Sequence, residues 1–296
     1  MARVGLIGLG IVGTAFARNL LEDGDVVYGY DRDATRSAAL SALGGTPVSS
    51  PKEVAEHSDL ILSAVATHGA LRDIATGPNG LVFANRRGFI LVDVSTLPLA
   101  EKEPVRVSLE AAGIPMLDCT ISGMGRQIEQ RDGAFMMSGN ADAMKVATPV
   151  LARIGKAVHD VGVFGNGIKM KLITNLMTAI HVIAAAEALS LAEKAQLNLA
   201  QVLEVGQSGG GNSRMWEVRG PLMAERRYRE PAGRISLWLK DLDLITEFAR
   251  GVGAATPLLD LATAIFNEAS EAGLDDWDAA AVHAVIERMT PSSPGL

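Results

Sequence analysis

The sequence predicts an α/β protein in two parts. Residues 1–164 read as a Rossmann-type, doubly wound domain with a mostly parallel sheet, and residues 165–296 as an all-α domain built on a long interdomain helix. Three observations carry this reading. Short apolar runs alternate with helical stretches through the first half, the pattern of parallel strands joined by crossover helices. The first run leads directly into a glycine turn, Gly8, Leu9, Gly10, Ile11, Val12, Gly13. After Gly165 the strand pattern stops and only helical spacing follows. At 296 residues the chain also exceeds what one hydrophobic core commonly serves, so two domains are expected, with a border near 162–166.

Taken in order, Arg3 to Ile7 is a strand, the glycine turn follows, and Thr14 to Leu21 has helical spacing. Gly8 permits the tight turn, Gly10 lets the backbone approach a pyrophosphate, and Gly13 lets the helix pack closely on the strand. The helix start offers free N–H groups to the phosphates, so residues 8–13 are expected to bind a dinucleotide. Val26 to Tyr30 is a second strand and ends on Asp31. An acid roughly 20 residues past the glycines can accept hydrogen bonds from the adenosine ribose and would repel a 2′-phosphate, which favours NAD. Arg32 follows directly, and a guanidinium there could hold that phosphate, so NADP stays open.

Asp59 to Val65 and Gly88 to Asp93 read as buried strands, with a helix from Pro98 to about Ala112. In a doubly wound sheet the ligand sits at the strand C-terminal ends. The segments 66–68 and 94–96 are therefore placed at the nicotinamide half of the cofactor, with Val65, Thr67 and Thr96 as the expected contacts. His68 lies at the same edge without a sequence partner and is set aside. Met116 to Gly123 is the next strand and edge loop. Its Ser122 and Gly123 can present backbone N–H groups to a substrate carboxylate, or form an ordinary Ser-Gly turn. Ala134–Ser138, a helix over 141–154, and residues 157–161 complete the domain.

The second half begins with a helix over about 167–196 that carries Lys169 and Lys171 in its first turns, and Asn175 four residues on. Positions four apart share a helix face, so Lys171 and Asn175 point the same way and Lys169 does not. A lysine near a helix start is ordinarily a solvated charge. Further helices are expected over 199–206, up to Met223, and over 235–248, 257–272 and 279–289, with a glycine-rich break at 208–213 and a frayed tail at 291–296. The segment 212–219 adds Arg214 and Arg219 beside an aromatic. Most of it reads as helix surface and core, with one arginine open to an acidic substrate or a partner subunit.

A net charge of −7 argues against nucleic-acid or anionic-membrane partners. One cysteine, Cys119, excludes a disulfide framework or a zinc cluster within the chain, and no metal is expected. The first residues run straight into a strand without a basic-then-apolar leader, and the window 177–192 is interrupted by His181 and Glu187. A soluble, cytoplasmic protein is the expectation. The long helix is apolar on nearly every face, which predicts a homodimer or homotetramer.

Together these residues resemble the β-hydroxyacid dehydrogenase family, which includes 3-hydroxyisobutyrate dehydrogenase and tartronate semialdehyde reductase. The likeness runs nearly the whole length, in order: the glycine fingerprint; Val92, Asp93, Val94, Ser95 and Thr96; Ser122 and Gly123; Gly165, Gly167, Lys171 and Asn175; and Leu237, Lys240, Asp241 and Leu242. The resemblance implies that Lys171 is catalytic, that Ser122 and Gly123 hold the substrate carboxylate, and that Asn175 supports substrate and lysine. It also implies that Lys240 closes over cofactor and substrate, and that Thr96 lies by the nicotinamide ribose. Hydride would pass between a small β-hydroxyacid or semialdehyde and NAD(P), with the lysine as acid and base. A lysine can do this when burial and neighbouring positive charge bring its pKa towards neutrality. Thr174 stands where the family has a first Asn. Met124, Gln127, Ile128 and Arg131 replace its small residues, which implies a substrate loop unlike that of well-known members. The alternatives are an imine reductase-like relative, against which Lys171 counts, and a catalytically silent NAD(P)-binding module.

Overall fold

A computed structural model describes residues 1–123 and 125–289. Met124 and the tail 291–296 fall outside the described residues. The chain forms two compact units, Met1–Lys171 and Leu172–Leu296. The division falls inside a helix, a few residues beyond the 162–166 border expected from sequence.

The first unit runs β1 (Arg3–Ile7), α1 (Ile11–Glu22), β2 (Val26–Tyr30), α2 (Ala34–Ala42), β3 (Thr46–Pro47), α3 (Pro51–His57), β4 (Leu60–Ser63), α4 (His68–Thr76), β5 (Ile90–Asp93), α5 (Leu99–Ala111), β6 (Met116–Ser122), α6 (Gly125–Glu129), β7 (Ala134–Ser138), α7 (Ala141–Ile154), β8 (Ala157–Asp160) and the start of α8 (Asn166–Lys194). Its single sheet has the order β3-β2-β1-β4-β5-β6-β7-β8. Every neighbouring pair is parallel except β6 and β7. The winding reverses between β1 and β4, which is where a doubly wound sheet opens its ligand crevice.

The central strands are mostly apolar because helices cover both faces, with Ser63, Asp93, Asp118 and Thr120 as buried polar exceptions. On one face Phe16, Leu20, Leu62, Val92, Leu117, Phe135 and Leu151 pack together. On the other, Val54, Ile61, Leu71, Phe89, Leu91 and Leu109 do so. The helix starts are written locally. Ser50, Thr67 and Asn140 each accept a backbone N–H from the first turn of α3, α4 and α7. The start of α1 at Gly10 has no side-chain cap.

The second unit is helical: the remainder of α8, α9 (Leu199–Ser208), α10 (Arg214–Ala224), α11 (Ile235–Val252), α12 (Pro257–Glu271) and α13 (Val282–Met289), the last preceded by a short 3₁₀ turn, Ala279–Ala281. α9 and α10 approach closely: a Cβ on Gly206 would sit 2.6 Å from the Trp216 ring, whose Nε1 donates to the Leu203 carbonyl at 3.1 Å.

Two sequence expectations change here. Arg219 faces neither substrate nor solvent: it is buried, paired with Asp278 at 3.0 Å and set over the Trp238 ring. Asp278 also accepts the N–H groups of Ala232, Gly233 and Ala280, so the pair pins the loop before α11. Arg214 forms an exposed pair with Glu217. Second, α8 is by length and composition apolar enough to cross a bilayer, despite His181 and Glu187. Within its most apolar window 44% of residues are buried inside the protein.

Candidate active site

The glycine turn has the geometry a dinucleotide needs. Gly8 sits at φ +90°, and a Cβ there would lie 2.2 Å from the Ala64 carbonyl oxygen. At Gly13 a Cβ would come within 1.9 Å of the Gly8 carbonyl oxygen, so any larger residue pushes α1 off β1. Gly10 has nothing closer than the Arg36 guanidinium at 3.7 Å, Ile11 is exposed, and the α1 N–H groups carry no side-chain cap. This open cradle at a helix N-terminus fits a pyrophosphate.

Asp31 follows β2 and is tied to the same turn. Its Oδ2 accepts the Leu9 N–H at 2.7 Å and an Arg36 guanidinium N–H at 3.2 Å, while Oδ1 accepts the Asp33 N–H at 2.9 Å. Arg32, the residue singled out from sequence, is exposed. Arg36, which sequence reasoning passed over, is the arginine that reaches Asp31. Its spacing from Asp33, three positions along α2, was the available signal.

At the adjoining strand ends, the Val65 N–H donates to the Ser95 hydroxyl at 2.9 Å, and Ser95 in turn donates to Asp93 at 2.7 Å. Thr67 caps α4 and Thr96 is half-buried. Ser122 is exposed at the end of β6, followed by Gly123 at φ +138°, a conformation glycine adopts without strain.

The two lysines of α8 separate clearly. Lys171 is 9% exposed and Asn175 6%, whereas Lys169 is half-buried. In the second unit, the Asn175 amide donates to Asp241 at 2.8 Å, and Lys240, next to Asp241 on α11, is exposed. Asp241 orients the Asn175 side chain, a partnership that sequence alone did not suggest.

Two of the departures in the 120–131 loop, Ile128 and Arg131, have packing partners in the structure. Ile128 is fully buried on α6, in the core beside α1, and its carbonyl accepts from the Asn19 side chain at 2.9 Å. Arg131, at φ +59°, pairs with Asp23 and donates to the carbonyls of Asn19 and Arg153. These two side chains build packing at the far end of α1.

One family model, the NAD-binding domain of 6-phosphogluconate dehydrogenase, matches residues 3–165, and a second, the NAD-binding domain of NADP-dependent 3-hydroxyisobutyrate dehydrogenase, matches 165–286. The chain belongs to the 3-hydroxyisobutyrate dehydrogenase family. It is 31% identical to L-threonate dehydrogenase of Cupriavidus necator, over 94% of each chain. It is 30% identical to glyoxylate/succinic semialdehyde reductase 2 of Arabidopsis thaliana, over 94% of this chain and 78% of that one. Among solved structures, 3-hydroxyisobutyrate dehydrogenase from Salmonella typhimurium superposes with a TM-score of 0.85 at 29% identity, covering 96% of this chain and all of that one. An imine reductase from Pseudomonas shares the fold alone, with a TM-score of 0.61 at 18% identity. Membership of this family makes the chain an NAD(P)-dependent dehydrogenase of small hydroxyacids.

Proposed function

We propose that the enzyme exchanges hydride between NAD and a small β-hydroxyacid of the 3-hydroxyisobutyrate or 2-hydroxy-3-oxopropanoate kind, with Lys171 as general acid and base. The observation that carries this is the burial of Lys171, 9% exposed, while its neighbour Lys169 stays partly solvated. The relatives' names support the substrate class: L-threonate, succinic semialdehyde and 2-hydroxy-3-oxopropionate are all small carboxylates that bear hydroxyl or carbonyl groups.

Residues 8–13 would hold the pyrophosphate, Asp31 the adenosine ribose, and Val65, Thr67 and Thr96 the nicotinamide half. When bound, the nicotinamide accepts or returns the hydride. Ser122 and Gly123 would hold the carboxylate, and Asn175, kept in place by Asp241, would support the hydroxyl. Lys171 takes the hydroxyl proton during oxidation and returns it during reduction, and Lys240 would close over both ligands. Asp31 supports NAD over NADP because a carboxylate at the end of β2 would repel a 2′-phosphate. The division of labour is a dinucleotide-binding segment 1–164 and a helical substrate and assembly segment 165–296, in a cytoplasmic homo-oligomer.

A panel of small hydroxyacids assayed with NAD and NADP tests the reading. NAD reduction by at least one β-hydroxyacid is expected, with higher kcat/KM for NAD than for NADP. Lys171→Ala should lower kcat by about 10²–10⁴-fold, the range for loss of a general acid–base group, with cofactor affinity retained. Wild-type turnover in that variant would refute the role.

A further inference from the structure

The described residues contain a charged cluster that the proposed chemistry does not use. Lys102 on α5, Asp93 at the end of β5 and Asp118 within β6 are all completely buried. The Lys102 ammonium lies 2.9 Å from Asp93 Oδ2 and 2.7 Å from Asp118 Oδ1. Asp93 Oδ1 accepts the hydroxyls of Ser63 and Ser95, and Ser95 accepts the Val65 N–H. On the other side, Asp118 Oδ2 accepts the Ile168 N–H at 2.7 Å, in the first turn of α8.

That first turn is gripped at two further points, one of them braced by a third bond within the sheet. The Gly167 N–H donates to the Ser138 hydroxyl at 2.9 Å, Ser138 donates to the Asp118 carbonyl at 3.0 Å, and the Thr120 hydroxyl donates to the Gly167 carbonyl at 2.7 Å. A Cβ on Gly167 would lie 2.6 Å from the Asp118 carbonyl oxygen, so the helix is seated against the strands without slack. The N–H groups at a helix start have no partners within the helix, and here sheet side chains supply them. The cluster carries one net negative charge, which the positive end of α8 favours.

We propose that Asp118 is a positioning residue for Lys171. It joins the strand end at Val65 and Ser95, through Asp93 and Lys102, to the helix turn that ends three residues before Lys171. The chain Val65–Ser95–Asp93–Lys102–Asp118–Ile168 thereby fixes in one register the edge assigned to the nicotinamide and the lysine assigned to the proton. This rests on the acid–base reading of Lys171. A carboxylate is needed at 118 because two oxygens must accept from opposite sides, one from an ammonium and one from a backbone N–H. An amide has one acceptor, and its NH₂ would face a donor on the other side.

The test uses the full-length protein with Asp118→Asn and Thr120→Val, the second a near-isosteric loss of one grip on Gly167. The deciding measurement is the rate at which a lysine-specific acylating reagent labels Lys171, quantified by peptide mass spectrometry against exposed Lys145 in the same molecule. It needs no substrate. In folded variants with unchanged circular dichroism, the Lys171:Lys145 labelling ratio should shift by about threefold or more, a change of roughly 0.6 kcal/mol by RT ln 3. With an active wild type, kcat should fall about 10–100-fold in Asp118→Asn while KM stays within about twofold, the pattern of an interaction lost in the transition state. A ratio unchanged in both variants overturns the proposal, whatever the turnover. If the wild type oxidises no hydroxyacid, the functional reading fails and the labelling ratio still decides whether Asp118 sets the position of Lys171.

Discussion

Lys102 is completely buried, and its charge is kept by two carboxylates. Burial works against the charge on Lys102, but the carboxylates of Asp93 and Asp118 outweigh it and hold its pKa above the ordinary lysine value. A group whose pKa is raised on folding contributes stability that is complete below its unfolded pKa and is lost only as pH climbs through the folded value. The wild type should therefore keep this contribution unchanged from about pH 7 to about pH 9, still below the ordinary lysine range. Lys102→Met, which leaves two buried carboxylates without their counter-ion, should lose about 3–5 kcal/mol in urea unfolding at neutral pH. A loss below about 1 kcal/mol, the scale of an exposed pair, would show that water reaches the cluster. The cluster had a signal in the sequence: Lys102 shares one helix stripe with Val105 and Leu109, and Asp118 stands within the apolar run Met116, Leu117, Cys119. What the sequence could not supply was the partner. Asp93, Lys102 and Asp118 come together only once β5 and β6 pair in register, with Asp93 opposite Asp118.

At the scale of elements, the segment following Ser122 shows how large residues in a loop position can serve packing. Large residues at 128 and 131 suggest a reshaped substrate loop when read against a family that has small ones. In the fold they make α6 and its packing on α1, with Ile128 fully buried and Arg131 clamped to Asp23. Ile128→Ala should cost about 2–5 kcal/mol of stability, measured by denaturant unfolding, and leave KM for the hydroxyacid within about twofold, since a cavity there lies in core and not in a pocket. A large KM change with little loss of stability would return Ile128 to the substrate loop. The longer strands and helices were legible because each repeats its pattern over several residues, whereas the two-residue β3 was not; α7 and β7 fall where the spacing predicts. The antiparallel turn-about of β7 was not legible, because a buried strand has the same composition whichever way it runs.

For the molecule as a whole, apolar surface points to assembly. Ile173, Met177 and Leu191 on α8 are 47%, 53% and 71% exposed, and Val205, Leu258 and Leu261 are exposed on other helices of the same unit. Apolar side chains gathered on the elements of one unit are what a subunit interface would cover. Sedimentation should give a dimer or tetramer, and Met177→Glu with Leu191→Glu should shift the protein towards monomer. A wild-type monomer at micromolar concentration would contradict this. The two-part organisation was plain from the change of pattern after Gly165. The place of division was not, because it depends on which residues touch in space, and the helix itself runs on unbroken. The grip of β6 and β7 on the first turn of α8 bears on how such proteins can be recombined. A nucleotide-binding half cut at residue 164 would leave Asp118 and Ser138 facing emptiness where the Ile168 and Gly167 amides belong. Any swap of helical halves between relatives must therefore carry the start of the helix, through Lys171, along with the sheet. The inheritable unit is the sheet together with the lysine, and the helical half can change behind it.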